Sequence, residues 1–169
     1  MYTKQKEDIA EDAIASQLQS AGFLVAKPKF DERGADLLAF GHIHGGARFA
    51  RIQSKYRQAQ SSVKIPYHYA VGAFVCIVHL VPRKGQADDE AAVFYAFTAE
   101  EIRAWPNRNG VSVLSLPSFE TARKRFASNL LKDKIQSIRE LIAKADGTDE
   151  MIGLLDFSNP NNSGLLAII

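Results

Sequence analysis

The chain has 169 residues, 46% of them hydrophobic and 24% charged, with a net charge of +2 and one cysteine. That length and balance describe one globular domain with a sizeable core and exclude a disordered or fibrous chain. No apolar run reaches the roughly 18 residues needed to cross a bilayer, and the polar stretch 1–8 has no apolar signal segment behind it. A lone cysteine cannot close an internal disulfide, and Cys76 lies inside Phe74-Val75-Cys76-Ile77-Val78, so a buried thiol and a cytoplasmic setting are expected. The small net charge hides an asymmetry. Between Leu37 and Ala87 there is no Asp or Glu, yet seven of the 21 basic residues and all four histidines fall there. A basic zone of this kind suits a polyanionic partner, although a chain pI of 8.7 stays below the nucleic-acid guideline of about 9.

In chain order, residues from about Lys4 to Ala21 carry Ile9, Ala13, Ile14, Leu18 and Ala21 on one side, which predicts an amphipathic helix stopped by Gly22. Glu11 falls at the margin of that stripe, where a carboxylate needs a partner. Phe23–Ala26 reads as a short strand. Ala35–Phe40 and Arg48–Lys55 read as two strands joined by a connector with three glycines, a hairpin. From Lys55 to Ser62 the chain reads as a polar loop. Ala73–Val81 is the most apolar run and is expected to be a central buried strand. Pro82–Glu90 is a charged loop and Ala92–Phe97 another strand. Thr98-Ala99-Glu100-Glu101 has the capping-box form, opening a short helix that Trp105-Pro106 closes. Val111–Leu116 alternates as a strand. Apolar residues then recur at helical spacing from about Ser118 to Ala145, with a break expected at Ser128-Asn129. That helix either packs on the sheet or offers a dimerisation face. Residues 158–164 read as a loop, before an apolar terminus. The expected architecture is α/β: a mixed central sheet flanked by helices, one domain over 1–169, with a core of about 5–116 and a helical extension of about 118–169.

The hairpin carries the chemistry. Side chains alternate along a strand, so Gln53 and Lys55 share a face, and pairing of the two strands sets Asp36 beside them. A carboxylate, an amide oxygen and an ammonium around one point suit a hard divalent cation and a charged substrate oxygen. The plain alternative is three outward polar residues on a half-exposed hairpin. Arg51, Arg57 and Lys64, with Arg48 in the same basic zone, are candidate phosphate contacts. Tyr56, Tyr67 and Tyr69 are candidates for stacking on an unpaired base, against packing at a core edge. The histidines have no zinc-like spacing and are expected to be exposed or close to phosphate.

A helix with Ala10-Glu11, its end Ala21-Gly22-Phe23, then Gly34-Ala35-Asp36-Leu37-Leu38-Ala39, then Ile52-Gln53-Ser54-Lys55 follow one another in this order. The set resembles the PD-(D/E)XK, or restriction-endonuclease-like, nuclease superfamily, and within it the archaeal Holliday junction resolvase-like and uncharacterised bacterial branches. The resemblance covers about residues 5–57. It implies a restriction-endonuclease-like core and a Mg²⁺- or Mn²⁺-dependent endonuclease acting on DNA. It also implies that Asp36 is the principal metal carboxylate, that Glu11 completes the metal site from the first helix, often through water, and that Lys55 orients the attacking water or stabilises the phosphorane charge. The backbone carbonyl of Ser54 would be a further ligand. Gln53 departs from the commoner Glu, which keeps an oxygen but removes a negative charge. Gln53 therefore also admits a catalytically silent nucleic-acid-binding or assembly module. A third reading is a protein–protein component of a defence or toxin system. Cutting both strands of a duplex calls for two sites, for which a homodimer is one arrangement.

Overall fold

The computed structural model describes residues 3–28, 34–41, 48–83 and 92–145. The first helix, α1 (Thr3–Ser20), buries Ala10, Ile14 and Leu18, one side of three successive turns. Ile9, expected on that stripe, is instead exposed, because the buried side is centred on Ala10. The chain reverses at Gly22, whose φ of 96° favours a residue without a Cβ. Strands β1 (Leu24–Ala26), β2 (Leu37–Phe40) and β3 (Phe49–Gln58) follow, with antiparallel pairing throughout. The expected hairpin is therefore present, while its connector at 42–47 lies outside the described residues.

Strand β3 runs on through Tyr56, Arg57 and Gln58, which the sequence placed in a polar loop. The reason lies across the sheet. Strand β5 (Phe74–Val81) runs parallel to β3 from Arg51↔Phe74 to Gln58↔Val81, and backbone pairing over that length decides the conformation. Between them in the chain comes β4 (Ser62–Pro66), also unforeseen, in which Val63 and Ile65 are buried and Lys64 is exposed. After β5 come β6 (Val93–Thr98), α2 (Ala99–Arg103), β7 (Asn107–Arg108) and β8 (Val111–Ser115). Thr98 caps α2 with a full capping box, as expected. Last are α3 (Phe119–Arg125), a 3-10 turn at Ala127–Asn129 and α4 (Leu131–Lys144), so the helical region does break around Ser128-Asn129. Residues 146–169, including the loop and apolar terminus read from the sequence, lie outside the described residues.

The main sheet has the order β1-β2-β3-β5-β6, mixed as expected, because β3 and β5 are parallel and the other pairs antiparallel. A second sheet has the order β4-β8-β7. One face of the main sheet, through Ala50, Ile52, Val75 and Ile77, packs against Ile14 and Leu18 of α1 and Ile138 and Ile142 of α4. The opposite face, through Phe74, Cys76, Val78 and Leu80, packs against Val63 and Ile65 of β4, Ile102 of α2 and Phe119 of α3. Each β5 side chain from Phe74 to Leu80 is buried between these layers, as a doubly covered central strand requires.

Candidate active site

The site grows out of a missing strand. Strand β2 begins at Leu37, paired with Ile52, and the backbone N–H of Asp36 donates to the same Ile52 carbonyl at 2.9 Å, one step out of the strand register. Asp36 therefore sits at a bend where the pairing ends, beside Ile52 and Ser54. Beyond it, no described strand covers this edge of β3, and the Asp36 side chain substitutes for the backbone: the Ser54 N–H donates to Asp36 Oδ2 at 2.8 Å. The N–H and C=O of one strand residue project to the same side, so the Ser54 carbonyl leaves the same edge.

Gln53 and Lys55 alternate with Ser54 and so point to one face of β3, and the Asp36 carboxylate reaches the Ser54 N–H that lies between them. Gln53 is only 8% exposed, and its Oε1 is buried with no hydrogen-bond partner. A buried amide oxygen left unpaired costs about 1–3 kcal/mol. Lys55 is half-buried and makes no hydrogen bond or ion pair with another described residue. Behind the trio, Cys76 pairs in register with Gln53. Burial pushes its thiol up to about 12; the positive charges of Lys55 and Arg57 oppose that rise and the Asp36 carboxylate adds to it. The thiol stays protonated and inert, with the charges of Lys55, Arg57 and Asp36 near enough to act on it.

Two features outside the expected set hold Asp36 in place. Gly34 has φ 72°, and a Cβ built there would lie 2.5 Å from Tyr69 Cδ2, so the Tyr69 ring packs closely against the backbone two residues before Asp36. Tyr69 in turn packs on Phe74. Of the three tyrosines, Tyr69 thus belongs to the wall of the site. Tyr67 lies under the Arg103 guanidinium, and Tyr56 meets His79 edge-on beneath the Lys6 ammonium. Tyr56 alternates with Lys55 along β3, so it faces α1 and does not join the trio.

Glu11 also stands apart. Helix α1 covers the opposite face of the sheet, and Lys27 Nζ holds the Glu11 carboxylate at 2.7 Å. Lys27 has its pKa raised, chiefly by the hydrogen bond to Glu11, although burial pulls the other way.

The basic candidates divide sharply. Arg51 is 6% exposed, donates to the Val71 carbonyl at 2.6 Å and lies over the Phe74 ring, so it is a buried structural residue and not a phosphate contact. Arg48 donates to the Ala143 carbonyl near the end of α4. Arg57 donates to the carbonyls of Ser62 and Tyr56. Lys64 alone among the expected phosphate contacts stands exposed without such a tie. His79 corrects another expectation: it is buried, stacked on Phe94, and burial lowers its pKa, so it is a neutral core residue. His68 is exposed, and His42 and His44 lie outside the described residues.

No group of three or more His, Cys, Asp or Glu placed to hold a metal ion occurs among the described residues. The trio supplies an amide oxygen in place of one carboxylate. The donors present are a carboxylate, an amide oxygen and a main-chain carbonyl, all hard oxygens, and the orphaned Gln53 Oε1 is the atom such a cation would satisfy. These residues fit Mg²⁺ or Mn²⁺. A cleft of about 720 Å³ opens elsewhere, at the N-terminal end of β5 between α2 and α4, and contains none of the trio. Glu101 and Lys134 in its wall already satisfy each other at 2.8 Å. No helix among the described residues is long and apolar enough to cross a membrane.

No protein-family model matches the chain, and no curated protein does. Among solved structures, the chain is similar to the bacterial homing endonuclease I-Ssp6803I, with 15% identity over 85% of this chain and 98% of that one, at a TM-score of 0.54. It also matches the Holliday junction resolvase Hjc of Archaeoglobus fulgidus, with 11% identity over 89% of this chain and 98% of that one, at a TM-score of 0.42. The first likeness spans nearly the whole of both chains. The fold is nuclease-like, the mixed α/β core expected from the sequence.

Proposed function

We propose that the chain is a divalent-metal-dependent nuclease hydrolysing phosphodiester bonds in DNA, with a site of the PD-(D/E)XK type at the open edge of β3. One observation carries the reading: a buried Gln53 Oε1 without a partner among the described residues, next to the Ser54 N–H that grips the Asp36 carboxylate, with an uncommitted lysine two residues on. Asp36, Gln53 and the Ser54 carbonyl would hold Mg²⁺ or Mn²⁺. When bound, the ion polarises the phosphate and lowers the pKa of a coordinated water. Lys55 orients the attacking water and stabilises the charge that builds on the non-bridging oxygens. The Ser54 N–H keeps Asp36 aimed, and Tyr69 fixes the loop that delivers it. Glu11, on the α1 side of the sheet and paired with Lys27, stays outside this set. Gln53 supplies no charge, so cation affinity is weaker than with a second carboxylate.

A second reading is favoured by Gln53 and by the Glu11–Lys27 pair: a catalytically silent DNA-binding module that keeps the fold. Incubating the protein with linear, supercoiled, single-stranded and branched DNA, with and without Mg²⁺ or Mn²⁺, separates the two. The nuclease reading expects metal-dependent nicking that falls at least about 100-fold in Asp36→Ala and in Lys55→Ala while both remain folded. Unchanged cleavage by either variant overturns it. Binding without cleavage, under any metal, supports the silent module. Sedimentation on a nicked duplex tests whether two copies assemble to cut both strands.

A further inference from the structure

The small sheet β4-β8-β7 has no role in the proposed chemistry, yet it is joined directly to the site. Strand β3 leads into β4 through the turn at 59–61, and Arg57 Nε of β3 donates to the Ser62 carbonyl that opens β4 at 2.9 Å. Its inner face is committed: Val63 and Ile65 are buried against the main sheet. The register fixes what lies outward. Lys64 pairs with Val113, and Arg108 pairs with Val111, which also faces Pro66. Facing residues share a side, so Lys64, Arg108, Val111 and Val113 form one solvent-facing surface.

The charge of this surface has one sign. Neither 59–83 nor 102–119 contains an Asp or Glu, so no acid of the small sheet opposes Lys64 or Arg108. Both side chains are exposed and make no ion pair among the described residues. Arg83 adds a third cation at the root of the sheet, donating to the Ala59 carbonyl at 3.2 Å. The far end is a tight Asn109-Gly110 turn with both φ angles positive, which leaves Arg108 at the edge of a narrow ribbon. With strands about 4.8 Å apart and a rise of about 3.3 Å per residue, Lys64 and Arg108 are roughly 12 Å apart, close to the width of a B-DNA major groove. The two valines between them present methyl groups of the kind that meet thymine.

We propose that this sheet is the surface by which the protein docks duplex DNA in the major groove, with Arg108 contacting base edges and Lys64 a phosphate. The proposal builds on the nuclease reading, because it places the duplex beside the open edge of β3. It is tested apart from cleavage. The full chain is mixed, in EDTA, with a pool of 30-base-pair duplexes of random sequence, and bound molecules are sequenced over successive rounds. The wild type is expected to enrich a motif. Arg108→Ala flattens the preference at one or two positions by roughly tenfold or more. Lys64→Ala weakens all duplexes alike and lowers the salt slope by about 1. Circular dichroism melting confirms that both exposed variants are folded. The proposal is overturned if both variants bind as the wild type does, or if single-stranded RNA or DNA outcompetes the duplex. Duplex binding that depends on Arg108 and Lys64, with no nicking in Mg²⁺ or Mn²⁺, would sink the nuclease reading and leave this one standing. Nicking whose site preference ignores both substitutions would do the reverse.

Discussion

Gln53 is placed where an amide is expensive. Its oxygen is buried without a partner, so the fold carries a cost that a cation would remove. Gln53→Leu, similar in size and free of polar atoms, is expected to match or exceed the wild type in stability by up to about 1–3 kcal/mol in EDTA. The same variant should gain nothing from Mn²⁺, whereas the wild type should be stabilised. Urea melts with and without Mn²⁺ read both effects, and an equal response of the two proteins to Mn²⁺ would contradict this account of the residue. Gly34 makes a second case. Its φ of 72° and the Tyr69 ring leave no room for a methyl group, so Gly34→Ala should cost about 1–3 kcal/mol and displace Asp36. Denaturation midpoints and nicking rates should fall together. That Gln53 and Lys55 fall on one face of β3 was legible because it follows from strand periodicity, whereas the helical Glu11 was placed only by the order of the motifs. Gly34 was not singled out, because its constraint comes from Tyr69, 35 positions later, and only the tertiary fold brings the ring there. Arg51 and Arg48 misled for a similar reason. A guanidinium reads as a phosphate contact until the carbonyl that engages it is known.

At the scale of elements, the capping box of α2 does more than start a helix. One Glu101 oxygen accepts from Thr98 N–H at 2.8 Å, and the other accepts from Asn129 Nδ2 and Lys134 Nζ, both at 2.8 Å. The carboxylate therefore ties α2, the 3-10 turn and α4 together. Burial raises its pKa, but Lys134, the Thr98 N–H and Asn129 together outweigh burial and leave it lowered from 4.5. A depressed carboxylate stabilises the fold at pH above its unfolded value and loses that contribution as pH falls through the folded one. Glu101→Gln should lower stability at pH 7 by roughly 1–2 kcal/mol, allowing for partial exposure, and should flatten the decline in acid. Chemical denaturation between pH 7 and 3 reads both. The helical break at Ser128-Asn129 was visible in the sequence as two polar residues interrupting the apolar spacing. Strand β4 was passed over although Val63 and Ile65 alternate with polar neighbours, because a run of five residues beside a proline gives too short a pattern to stand against a loop. The extension of β3 rests on pairing with β5, a contact between segments about 23 residues apart that local sequence does not encode.

At the scale of the molecule, two differently covered faces give the central sheet its use. One face is sealed by α1 and α4. The other carries the small sheet, and where β2 stops short no described strand covers the edge of β3 beside Asp36, Gln53 and Lys55. The fold class was readable because the long apolar strands and amphipathic helices allow few alternatives, and the resemblance to a nuclease superfamily supplied the order of its parts. Glu11 remains the outlying member, tied to Lys27 across the sheet from the others. The most direct test of the whole account is calorimetric titration of Mn²⁺ into the wild type, Asp36→Ala, Gln53→Leu and Lys55→Ala. The account predicts one site in the wild type, lost in Asp36→Ala and Gln53→Leu and kept in Lys55→Ala; no binding to the wild type, or binding indifferent to Asp36 and Gln53, would contradict it.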